Sequence, residues 1–117
     1  MKIHSDIRGT LYEIPSCAGT QFISTSHPGV RRGDHYHLHK TEWFLVLVGE
    51  AEILHRPFTL DGVYGVTRLS GDKPEWVGIL PLVTHAIVNI GKTDLVLLVQ
   101  SDVVFDEANP DTYDEKV

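Results

Sequence analysis

No stretch of this chain holds a helical repeat of apolar residues over three turns, and that narrows the fold more than any other feature. The chain consists instead of short runs of Val, Ile, Leu, Thr and aromatic residues, cut by Gly, Pro, Asp and Ser. Branched and aromatic side chains pack well on a pleated surface, whereas the cutting residues supply turn geometry. The pattern predicts strands at Gly9–Ile14, Gln21–Ser26, Val30–His37, Glu42–Val48, Ala51–Arg56, Val63–Leu69, Val77–Leu80, His85–Asn89 and Leu95–Gln100. Gly49-Glu50 has the composition of a two-residue hairpin turn. Many short strands at close spacing imply an all-β sandwich or barrel, jelly rolls included. At 117 residues the chain suits a single domain, 1–117, with residues 102–117 as a polar C-terminal tail.

Charge and apolar patterning exclude several classes of partner. The formal net charge is −6, and the one adjacent basic pair is Arg31-Arg32, so the basic face that phosphate contacts need is missing and no nucleic acid is expected. The longest apolar run, Leu95–Val99, is far too short to span a bilayer, so no membrane partner is expected either. The only cysteine, Cys17, cannot form a disulfide within the chain, and the first residues lack an apolar leader. Both point to a cytoplasmic protein.

Histidine carries the functional signal. Three of the seven histidines, His35, His37 and His39, crowd into five positions. Alternate residues of a strand share a face, so His35 and His37 present two imidazoles side by side. A reversal through Leu38–Thr41 resets that parity and brings Glu42 to the same site from a neighbouring strand. His85, at the start of a late strand, supplies a further imidazole. Three imidazoles and a carboxylate suit a divalent ion such as Zn, Fe, Ni, Cu or Mn, and the donor set does not choose among them. His39 could replace His35 as a ligand, but only two residues would then remain for the reversal.

The run from Gly33 to Gly49 resembles the first cupin motif: His35-x-His37, four residues, Glu42, six residues, Gly49. Gly71, Pro81, His85 and Asn89 resemble the second motif. The spacing from Pro81 to His85 is one residue shorter than usual, and Val83 stands where a turn glycine is normal. The likeness is closer to the C-terminal cupin domain of the bifunctional UDP-sugar epimerase/reductase of capsular polysaccharide synthesis. That resemblance is carried by Asp6-Ile-Arg-Gly9, by Pro28 to His37, by Lys40-x-Glu42-x-Phe44, and by Phe105, Pro110, Asp111, Thr112, Tyr113, Glu115 and Val117.

The resemblance implies a single-domain cupin, a jelly-roll barrel. Its bound metal would most naturally be zinc, and it would invert C3 beside the ketone of a UDP-4-keto-6-deoxy hexose. Any reduction of that ketone would fall to a separate reductase, since no dinucleotide fingerprint follows a strand here. Inversion needs a proton taken from one face of the carbon and returned to the other. His39 and Lys40, in the reversal beside the ligands, are the expected acid and base, ahead of Tyr36 and Tyr12. Tyr36 alternates with the two histidines and should point away from them. Arg31, by parity with His35, and Arg56 are expected to bind the anionic nucleotide sugar. A homodimer is expected. Other sugar-nucleotide cupins (a 3,5-epimerase or a 3,4-ketoisomerase), a metal-dependent dioxygenase and a non-catalytic binding module are the competing readings.

Overall fold

A computed structural model of the protein describes residues 2–60 and 64–117, and among these every regular element is a strand. In chain order they are β1 (Lys2–Asp6), β2 (Gly9–Glu13), β3 (Gln21–Ser26), β4 (Arg31–Tyr36), β5 (Glu42–Val48), β6 (Glu50–Pro57), β7 (Gly65–Ser70), β8 (Trp76–Ile79), β9 (Val83–Asn89), β10 (Leu95–Ser101) and β11 (Tyr113–Asp114). Every predicted strand has a counterpart, although Val63 and the Asp61-Gly62 break lie outside the described residues. β1 and β11 leave no signal in the sequence pattern. Both are short and exposed, so neither carries an apolar alternation to betray it.

Two antiparallel sheets face each other, ordered β3-β10-β5-β8 and β11-β4-β9-β6-β7. Their inner faces supply the core: Phe44 and Val46 of β5, Leu95, Leu97 and Val99 of β10, and Ala51 and Ile53 of β6. The spacing by two along each strand is what puts these side chains on one face. Leu45 and Leu98 are also buried, but on the outer face of the first sheet. The chain's N-terminal part crosses that face, where the Tyr12 hydroxyl donates to the Leu47 carbonyl (3.4 Å) and the Gln100 amide to the Pro15 carbonyl (2.9 Å).

The connections differ from the expected ones in a way that matters for the site. β5 and β6 do not pair, so Gly49 is a corner between sheets and not a hairpin turn. It has φ +96°, and a Cβ there would lie 3.1 Å from the Asp94 carbonyl oxygen, so glycine is required. Leu38–Thr41 is likewise a crossing between sheets, since β4 and β5 belong to different ones. The tail is not loose: β11 adds to the edge of β4, and Tyr113 stacks on Tyr36 with ring centroids 5.4 Å apart.

Candidate metal centre

His35, His37, Glu42 and His85 converge between the two sheets, each offering a donor atom within 4.8 Å of the others. His35 and His85 face each other directly across the β4–β9 ladder. His37 follows the end of β4 and keeps the alternation. Glu42 opens β5 and approaches from the facing sheet. His37, Glu42 and His85 are at most 6% exposed, whereas His35 is only partly buried and forms the open side.

The hydrogen bonds around the cluster orient the lone pairs inward. A carbonyl can only accept, so His37 Nδ1 donates to the Asp111 carbonyl (2.7 Å) and His85 Nδ1 to the Val83 carbonyl (3.0 Å). Each ring therefore turns Nε2 toward Glu42, whose Oε1 lies 2.8 Å from His37 Nε2 and 3.4 Å from His85 Nε2. His85 Nε2 is buried and has no hydrogen-bond partner among the described residues. Leaving such an atom unpaired costs about 1–3 kcal/mol, so it needs a partner of another kind. A divalent cation fits that need: lone pairs converge on one point, and carbonyls fix the far side of two of the rings. Burial, with His85 and His37 close by, pushes the His35 imidazole down to about 4, so it is neutral and ready to ligate. Burial pushes the Glu42 carboxyl up, but His37 and His85 beside it outweigh that and hold it below the usual carboxylate range.

The other expected site residues are scattered. Lys40 lines a cleft of about 290 Å³ that Glu42 and Phe22 also line. His39 is exposed at the crossing. Tyr36 turns its ring away from the cluster, onto Phe58 and Tyr113. Tyr12 lies on β2, which pairs with β1 in a hairpin separate from the two main sheets. Arg31 does not line the barrel cavity, because β4 carries a bulge between Gly33 and His35 and its parity slips by one. Its guanidinium is instead bidentate to Asp34, at 2.6 and 2.8 Å. Arg32 takes the inward place, lining a cavity of about 270 Å³ with His35, Glu42 and His85. The glycine in Arg32-Gly33-Asp34 was the available sign of a bulge. Arg56 also departs from expectation. It is 5% exposed, and its guanidinium donates to Glu115 Oε1 (2.7 Å) and to the Lys116 carbonyl (2.8 Å), so it clamps the tail and does not open onto the cavity.

Two facing antiparallel sheets closed around three histidines and a glutamate define a cupin-type barrel. Residues 4–113 match the polysaccharide biosynthesis C-terminal domain family, and the chain belongs to that family. It is 43% identical over 113 residues to a UDP-2-acetamido-2,6-beta-L-arabino-hexul-4-ose reductase of Pseudomonas aeruginosa, a match covering 95% of this chain and 30% of the relative. The capsular polysaccharide assembling protein CapF of Staphylococcus aureus superposes with TM-score 0.83 at 36% identity, over 99% of this chain and 34% of that one. The chain thus spans only about a third of these relatives' length. ChmJ, a 3'-monoepimerase of Streptomyces bikiniensis, superposes with TM-score 0.79 at 16% identity, over 97% of this chain and 65% of that one, a likeness of fold alone. No helix among the described residues is long and apolar enough to cross a membrane.

Proposed function

We propose that the protein is a metal-dependent epimerase acting at C3, beside the ketone of a UDP-4-keto-6-deoxy hexose, in the synthesis of a surface polysaccharide sugar. The observation that carries this reading is the position of Glu42. It belongs to the four-donor cluster and also lines both the barrel cavity and the cleft that holds Lys40. A carbonyl bound at the cluster would therefore lie near a nitrogen base. The P. aeruginosa relative's name specifies a UDP-linked hexul-4-ose, a sugar with its ketone at C4, which fits such a site.

His35, His37, Glu42 and His85 would hold the ion, zinc by preference and Fe, Ni or Mn as alternatives. When bound, the ion supplies Lewis-acid polarisation of a ketone oxygen, worth several kcal/mol toward proton loss at the adjacent carbon. Lys40, on the wall of the cleft, is the group proposed to take or return that proton, and such a group contributes typically 10²–10⁴-fold. His39 is the candidate for the second proton position from the exposed side of the crossing. Phe22, Phe44, Leu97 and Val99 give the cavity an apolar wall that limits water around the reacting carbon. Arg32, held by Ser26 Oγ (2.9 Å) and the Thr25 carbonyl (3.1 Å), replaces Arg31 as the cation proposed to face the pyrophosphate. The same reading has the chain working as a homodimer, its product going on to a reductase.

The test is proton exchange. Metal-replete protein is mixed with a UDP-4-keto-6-deoxy hexose in D₂O, and the ring protons are followed by NMR. Selective loss of the C3 signal, abolished in His37→Ala, supports the epimerase. Additional loss at C5 redirects the assignment to a 3,5-epimerase. No exchange at any carbon, with metal confirmed in the sample, defeats it.

A further inference from the structure

We propose that Asp111 is a positioning residue for the metal ligand His37 and for the crossing that carries Lys40, so that metal affinity depends on a carboxylate that is not itself a ligand. This rests on the metal reading of the cluster but not on the epimerase reading.

Asp111 grips the stretch 37–40 with both its side chain and its main chain. Its carboxylate accepts from three successive backbone N–H groups: Leu38 to Oδ1 at 2.8 Å, and His39 and Lys40 to Oδ2 at 2.9 and 3.1 Å. Convergent backbone N–H groups of this kind form an anion seat, and here the chain fills its own seat. The carbonyl of the same residue accepts from His37 Nδ1 at 2.7 Å. That bond places a ring hydrogen on Nδ1 and fixes the ring so that Nε2 is directed at Glu42 Oε1, 2.8 Å away. Asp111 has φ +52°, a left-handed conformation that aspartate tolerates better than most residues. This turn of the backbone lets one residue aim its carbonyl at His37 while its carboxylate reaches the crossing.

A purely structural role would make Asp111 one more pin for the tail. The tail, however, has other pins. Glu115 and Lys116 hold Arg56, and the backbone N–H groups of Glu115 and Val117 donate to the Asp34 carbonyl (2.8 Å) and to Asp34 Oδ1 (3.0 Å). Loss of the Asp111 carboxylate therefore leaves β11 docked but frees the crossing and the carbonyl that orients His37.

The experiment pairs zinc affinity of the full chain, by competition with a chelating dye, with long-range ¹H–¹⁵N NMR of the imidazoles in metal-free protein. In the wild type the His37 Nδ1–H should be hydrogen-bonded and slow to exchange with solvent. In Asp111→Ala zinc affinity should fall roughly 10–100-fold, the usual effect of losing an outer partner of a ligand, and the His37 Nδ1–H should exchange faster. Asp111→Asn keeps one acceptor and tolerates the left-handed backbone, so it should recover much of the loss. Glu115→Gln loosens the tail elsewhere and should leave zinc affinity unchanged. Wild-type affinity and wild-type Nδ1–H exchange in a folded Asp111→Ala, or an equal loss in Glu115→Gln, overturns the proposal. A wild-type protein that binds no zinc is a different result: it defeats the metal reading itself.

Discussion

Replacing Arg56 by methionine separates two roles for this side chain, substrate contact and tail clamp. The Arg56 side chain is 4% exposed and its partner Glu115 26% exposed, at 2.7 Å. The guanidinium also donates to the Lys116 carbonyl at 2.8 Å and, more weakly, to the carbonyls of Pro57, Phe58 and Leu60 at 3.3–3.4 Å. Breaking a fully buried pair costs about 3–5 kcal/mol. Glu115 sits near solvent and can regain water once Arg56 is gone, and methionine refills much of the side-chain volume. The net cost should therefore be ~2–3 kcal/mol. At about 4 °C per kcal/mol for a domain of this size, the midpoint of thermal unfolding should fall by ~10 °C. Circular dichroism melts of metal-free wild type and Arg56→Met at neutral pH measure this directly. Zinc affinity should be retained, because Arg56 belongs to the outer face of its sheet. An unchanged melting temperature, with lost binding of a nucleotide sugar, refutes the clamp and restores the substrate role.

Three further outcomes follow from the site. Saturating zinc should raise the melting temperature reversibly, since a ligand at a hundred times its Kd stabilises the folded state by about 2.7 kcal/mol; a chelator should remove the gain, His85→Ala should never show it, and a zinc-independent melt tells against the cluster. In metal-free protein, His35 is held at about 4 against its usual 6.5, so the unfolded chain takes up this proton first as pH falls. Its contribution to stability is complete above pH 6.5 and is lost as pH drops toward 4, so the difference in melting temperature between wild type and His35→Gln should narrow across that window, and parallel curves contradict the assignment. Gly33→Ala should cost about 1–3 kcal/mol in urea unfolding, because Gly33 has φ +97° and a Cβ would lie 2.9 Å from the His85 carbonyl oxygen; a neutral substitution is incompatible with the bulge as described.

Spacing is enough to bring three side chains of the cluster, His35, His37 and Glu42, to one place. His35-x-His37 works through strand alternation, which a local bulge upstream does not disturb. Glu42 follows a connection of only four residues, Leu38–Thr41, too short to place it anywhere but beside the strand end. His85 had no such local constraint and was legible through its motif. The substrate-side residues were not legible in the same way. Parity counted through Gly33-Asp34 points to Arg31, but the extra residue of a bulge there exchanges Arg31 for Arg32. The charge of Arg56 suggests an anionic ligand, but its partner Glu115 lies 59 residues away in sequence.

The all-β fold and the grouping of His35, His37 and Glu42 are written in periodicities of a few residues, and His85 in its motif. Closure of the two sheets decided which arginine faces the cavity and that the tail folds back onto the barrel. It also decided that Asp111 reaches across 74 residues of chain to hold His37. These facts depend on which surfaces meet once the two sheets close, and no local repeat encodes the meeting of distant segments.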